Sequence, residues 1–115
     1  MTSIGTDITT KNINGKTVII PSAPLTVKNS VDLKTVFNDL MKRAITDIIL
    51  DMGQVAFLDS AALELLISMQ GRLKQADNEL ILLDINAVCR DILICTRMIN
   101  GFKLISRHGT QALEP

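Results

Sequence analysis

Two short apolar runs constrain this chain more than any other feature. Residues 47–52, Asp-Ile-Ile-Leu-Asp-Met, and residues 79–85, Glu-Leu-Ile-Leu-Leu-Asp-Ile, are almost continuously apolar, the pattern of strands covered on both faces. Between them, from about Ser60 to Ala76, apolar residues recur at helical spacing. A buried strand, a helix of that length and a second buried strand make a right-handed parallel crossover. The rest of the chain has to be compatible with a parallel sheet.

On the N-terminal side, Thr6 to Ser22 contains two extended runs joined at Asn14-Gly15, a dipeptide whose tolerance of positive φ suits a two-residue hairpin turn. After Pro21 and Pro24, residues 29–43 bring Val31, Leu33, Val36, Phe37, Leu40 and Met41 near one helical face, with Asn29 or Ser30 available as N-cap. Residues 86–98 predict another helix, 101–106 an edge strand, and the tail to Pro115 one more helical turn. The sum is an α/β fold: a mixed sheet of about five strands, built from the hairpin and the parallel crossovers, with about four helices. At 115 residues the whole chain, 1–115, is expected to be a single domain.

Composition narrows the function. Apolar residues make up 47% of the chain, and twelve basic side chains cancel twelve acidic ones, so there is ample core and no net field to attract nucleic acid. No run approaches the roughly 20 apolar residues of a membrane-spanning helix, and the polar start MTSIGTDITTKN is unlike a signal peptide. A cytoplasmic protein without membrane insertion is expected. Cys89 and Cys95 lie on one predicted helix, about 240° apart around its axis, and are assigned as ordinary buried thiols. The glycines are scattered with no phosphate-cradling spacing. The single histidine, His108, sits in a polar stretch and is expected to be exposed. The chain therefore shows no catalytic constellation, cofactor loop or metal-ligand set, and no enzymatic activity is expected.

Asp51 and Asp84 end the two buried strands, where ligands bind on parallel sheets; the simpler reading is that they cap the following loops. Asp59 and Ser60 stand where the strand exit meets the next helix, and capping explains both residue types. Capping does not explain the helix surface that follows. With Ser60 at 0° and about 100° per residue, Ala62, Leu65, Leu66, Met69, Leu73 and Ala76 fall between about 140° and 240°, already a complete core stripe. Ile67 falls at about 340°, on the far side with Ser60, Glu64 and Gly71, and Leu63 borders it at about 300°. Exposed apolar residues beside a glycine and a hydroxyl mark a docking surface for another protein, unless a loop or the C-terminal turn covers Ile67.

The stretch IILDMGQVAFLDSAALELLI, a buried strand ending in Asp, a short loop with Gly, then apolar-Asp-Ser-small-small-Leu opening a helix, resembles the STAS domain, most closely the bacterial anti-sigma factor antagonists. The likeness continues through the hairpin, the helix after PSAPLTV, and LILLDINAVCRDILICTRMINGFKLI. It implies a partner switch acting in signal transduction and transcription regulation. The unmodified antagonist binds a serine kinase of the histidine-kinase-like ATPase class that is also an anti-sigma factor, phosphorylation releases it, and a PP2C-type phosphatase restores it. By position, the resemblance makes Ser60 the phosphoacceptor and Asp59 its acidic neighbour, with Asp51 and Asp84 at loop edges consistent with the same surface; Leu63, Glu64, Ile67 and Gly71, placed beside Ser60 by helical spacing, complete the expected partner-binding surface. The family commonly has Gly two residues after the serine, where this chain has Ala62. A STAS module can also serve unphosphorylated, as a scaffold or in a transporter-associated assembly.

Overall fold

A computed structural model of the chain describes residues 2–4, by their backbone alone, and residues 7–43 and 46–107. Its order is β1 (Thr2–Ile4), β2 (Ile8–Ile13), β3 (Lys16–Pro21), α1 (Ser30–Arg43), β4 (Ile48–Asp51), α2 (Ser60–Gln75), β5 (Leu80–Leu83), α3 (Ala87–Cys95), a 3-10 turn (Ile99–Gly101) and β6 (Lys103–Ile105). The strands form one sheet in the order of the chain, β1-β2-β3-β4-β5-β6. The β1–β2 and β2–β3 pairs are antiparallel, and the three pairs that follow are parallel.

The hairpin turns where expected, with Asn14 and Gly15 at φ +52° and +81°, the doubly positive geometry that matches strand twist. Both crossover strands form, with Ile48 beside Leu80 and Leu50 beside Leu82. The sheet has six strands rather than about five, since Thr2–Ile4 adds an edge. Among the described residues there are three α-helices and one 3-10 turn instead of about four helices; the predicted C-terminal turn, like His108, lies outside those residues. The helix expected to reach Met98 stops at Cys95. Arg97 takes φ +61°, its amide donates to the Ile94 carbonyl, and the Met98 amide donates to that of Leu93 at 2.8 Å. This is a Schellman stop with arginine in glycine's usual place. Asp77 ends α2 the same way, at φ +60°, with Asn78 donating to Leu73.

A sheet whose parallel strands advance steadily in one direction through right-handed crossovers carries all its helices on one face. Leu33, Val36 and Phe37 of α1, Leu66, Met69 and Leu73 of α2, and Cys89 and Leu93 of α3 accordingly share one core with Ile19, Leu50 and Leu82. Leu40 and Met41 pack half-buried against it, whereas Val31, counted with the core face, is 67% exposed. It lies about half a turn from the centre of the buried stripe. Buried Gln70 ties helix to sheet, its Oε1 accepting the Leu80 amide at 2.9 Å and its Nε2 donating to the Gly101 carbonyl.

Candidate partner-binding and phosphorylation site

The segment leaving β4 is pinned from several sides. The Met52 amide donates to the Leu83 carbonyl at 2.8 Å, and the Asp51 carboxylate accepts the Gly53 amide at 3.0 Å. Asn86, the N-cap of α3, donates its side-chain amide to the Val55 and Ala56 carbonyls. Val55 and Leu58 point into the core, while Phe57 faces solvent at 46% exposure. On the other flank the Leu25 amide donates to the Phe57 carbonyl, and the Asp59 amide donates to the Leu25 carbonyl. The loop therefore reaches Ser60 on a fixed path.

Asp59 is the N-cap of α2. Its Oδ1 accepts the Ala62 amide at 3.0 Å and its Oδ2 the Val27 amide at 2.8 Å. These N–H groups stabilise the ionised form, and the carboxyl is held below its ordinary value, chiefly by Ala62 and next by Val27. Ser60 follows as the first residue of the helix. It is exposed, and its hydroxyl makes no hydrogen bond among the described residues.

The expected docking residues divide. Glu64, Ile67 and Gly71 lie on the exposed side of α2, with Ile67 39% exposed and open space where a Gly71 side chain would stand. Leu63 does not join them; at 8% exposure it belongs to the core. The buried arc of α2 runs from about 180° to 300°, because Leu63 and Gln70 are covered while Leu65 and Ala76 are only half-buried. A wheel drawn from apolar residues alone missed that rotation, since one of the buried residues is a glutamine.

Sequence reasoning also missed Val27, Val31 and Val88, all exposed. Val27 is bonded to Asp59, Val31 is one turn further along α1, and Val88 starts α3 beside the Asn86 link to Ala56. Val27 and Phe57 thereby flank the start of α2 with exposed apolar surface. The signal was the valines' position at helix starts outside each helix's core stripe.

Asp51 and Asp84 serve a different arrangement. Arg107, two residues beyond β6, donates to both carboxylates, to Asp84 at 2.6 Å, and its backbone amide donates to Asp84 Oδ1 at 2.9 Å. Asp51 does cap its loop through Gly53, but Asp84 holds the strand that follows rather than its own loop. The hydrogen bond to Asp51 is the first cause raising the Arg107 pKa above its ordinary value. Of the thiols, Cys89 is buried, which pushes its pKa up, whereas Cys95 is exposed rather than buried. Among the described residues no three His, Cys, Asp or Glu side chains gather as a metal site, and no helix is long and apolar enough to cross a membrane.

No curated protein is matched by the sequence. Solved structures share the fold at low identity. TM1081 of Thermotoga maritima, a candidate anti-sigma factor antagonist, superposes with a TM-score of 0.81 at 18% identity, over 92% of this chain and 91% of that one. The anti-sigma factor antagonist SpoIIAA in its unphosphorylated form gives 0.68 at 16% identity, over 85% and 86%. Its phosphorylated Bacillus form gives 0.69 at 16%, over 88% and 93%. The murine anion transporter Slc26a9 gives 0.68 at 17% identity, over 82% of this chain and 16% of the transporter. The family model of the STAS domain matches residues 7–110, nearly the whole of the described sheet and helices, and the chain belongs to the STAS domain family.

Proposed function

We propose that the protein is an anti-sigma factor antagonist operating a phosphorylation-controlled partner switch. The unmodified form binds a serine kinase that is also an anti-sigma factor, of the histidine-kinase-like ATPase class. Phosphorylation of Ser60 releases it, and a PP2C-type phosphatase resets it. The observation that carries this reading is the unpartnered, exposed Ser60 hydroxyl at the start of α2, beside a carboxylate fixed in its ionised form and among exposed Val27, Phe57 and Ile67. Asp59, Glu64, Ile67 and Gly71 form the partner surface with them.

The physics supports a switch at this atom. Transfer of the ATP γ-phosphoryl group forms an Oγ–P bond, expels ADP and loses the hydroxyl proton, adding about −1.5 to −2 charge. A helix N-terminus tolerates an anion, so the fold persists. The docking surface then carries a second negative charge beside Asp59 within an apolar rim, and a loss of about 3 kcal/mol lowers affinity roughly a hundredfold. Ala62 is fully buried, so its methyl group in place of the family's glycine is core packing.

Intact-mass measurement after incubation with ATP and the partner kinase tests the assignment. One phosphate is expected on the unaltered chain and none on Ser60→Ala, which still binds the kinase. Phosphate on Ser68 or Thr96 instead rejects it. The likeness to part of an anion transporter favours a second reading, an unphosphorylated scaffold or transporter-associated module. It predicts partner binding that is indifferent to phosphate.

A further inference from the structure

With all three helices on one face, the other face of the sheet carries the alternate side chains of each strand. Lys11 is paired with Val18, and Ile13 with Lys16, so on the hairpin two cations and two apolar residues form a checkerboard. Val18 continues the row to Ile49, and Ile49 to Ile81. A trough of about 430 Å³ runs over this face, lined by Lys11, Ile13, Lys16, Val18, Ile49 and Leu83, and closed at the far end by Arg107.

The charges along it are not equivalent. Arg107 is already committed to Asp51 and Asp84. Lys11 and Lys16 are exposed and have no ion-pair partner among the described residues. The trough thus offers an apolar floor with two free ammonium groups at the hairpin end. Its volume lies within the usual range of small-molecule sites. An extended peptide lying on the face would leave its backbone N–H and C=O groups against apolar side chains without partners. An acyl chain has no such groups to satisfy.

We infer that the trough binds a small amphiphile, a medium-chain carboxylate, with its head between the Lys11 and Lys16 ammonium groups and its chain along Val18, Ile49 and Leu83. The site lies on the opposite face of the sheet from Ser60 and does not depend on the partner switch.

The test is an amide-resolved NMR titration of the full chain with octanoate below its micelle concentration, with 1-octanol and acetate as separate arms. Saturable shifts are expected at Lys11, Lys16, Val18, Ile49 and Leu83, with 1-octanol at least about tenfold weaker and acetate without effect. Lys11→Glu combined with Lys16→Glu reverses the charge at two exposed positions and should weaken octanoate at least about tenfold. Its α2 amides should remain unshifted, as a check on the fold. Absence of saturable shifts overturns the inference. So does equal affinity for 1-octanol, unchanged affinity in the lysine variant, or shifts centred on Val27 and Phe57.

Discussion

The Asp59 carboxylate reaches back to the Val27 amide at 2.8 Å, so one side chain starts α2 and clips the loop before α1 to it. Asp59→Asn keeps an oxygen for one amide and turns an NH2 group toward the other, so it should lower the melting temperature. The pH dependence follows from the direction of the shift. The folded-state pKa lies below the ordinary 3.8, so the stabilisation is complete above that value and is lost as pH falls through the folded-state pKa. Thermal melts from pH 7 to pH 3 should show a steady gap between the unaltered chain and Asp59→Asn down to about pH 5, closing below about pH 4.

Ser60→Asp or Ser60→Glu should leave the melting temperature nearly unchanged and weaken kinase binding. A carboxylate in the first turn is locally favourable by about 0.3 to 1 kcal/mol, while on the partner surface it doubles the negative charge beside Asp59. Calorimetric titration against the kinase, run with thermal melts, reads both effects. Unaltered affinity with either variant contradicts the switch.

Leu66, Leu63 and Ile67 are close in sequence and should behave in two ways. Leu66→Ala is expected to cost about 2 to 5 kcal/mol through the cavity it leaves, and Leu63→Ala to follow it because that side chain is buried as well. Ile67→Ala should change stability by less than about 1 kcal/mol and reduce partner affinity. Denaturant unfolding of the three variants separates them. An Ile67→Ala loss as large as that of Leu66→Ala would show Ile67 to be covered core.

Arg107 neutralises two carboxylates that face each other at the ends of neighbouring strands, and Asp51 is 8% exposed by its side chain. Since Arg107 is itself half exposed, its removal should cost about 1 to 3 kcal/mol, between the values for surface and buried pairs. The Arg107→Ala loss arises from leaving two like charges side by side without their shared cation. Adding Asp51→Asn should restore part of it. A double-mutant cycle by urea unfolding measures the coupling.

What could be read from the sequence was what local period and turn chemistry determine. The two apolar runs gave the crossover, Asn14-Gly15 gave the hairpin, and Asp59 gave the helix start. β1 escaped because three residues are too few to establish alternation. The buried arc of α2 was misjudged by about 50° because burial of Gln70 depends on Leu80 and Gly101, which lie outside the helix. The same limit hid the partners of the charged groups. Val27 is 32 residues from Asp59, and Arg107 is 56 from Asp51. No local pattern joins such pairs; the sheet brings them together.

Because strand order equals chain order, every strand after the first hydrogen-bonds to the one made immediately before it. A chain emerging from the ribosome never has to hold an edge open for a partner still unmade behind several other strands. The β2–β3 pair closes over a two-residue turn, and each later pair joins strands separated in sequence by a single helix-containing connection. Such sequential pairing keeps each loop closure shorter than it would be in a sheet whose strands interleave, which lowers the entropy that each pairing has to offset. Arg107 comes at the end of this series, so its closure over Asp51 and Asp84 locks strands already in position.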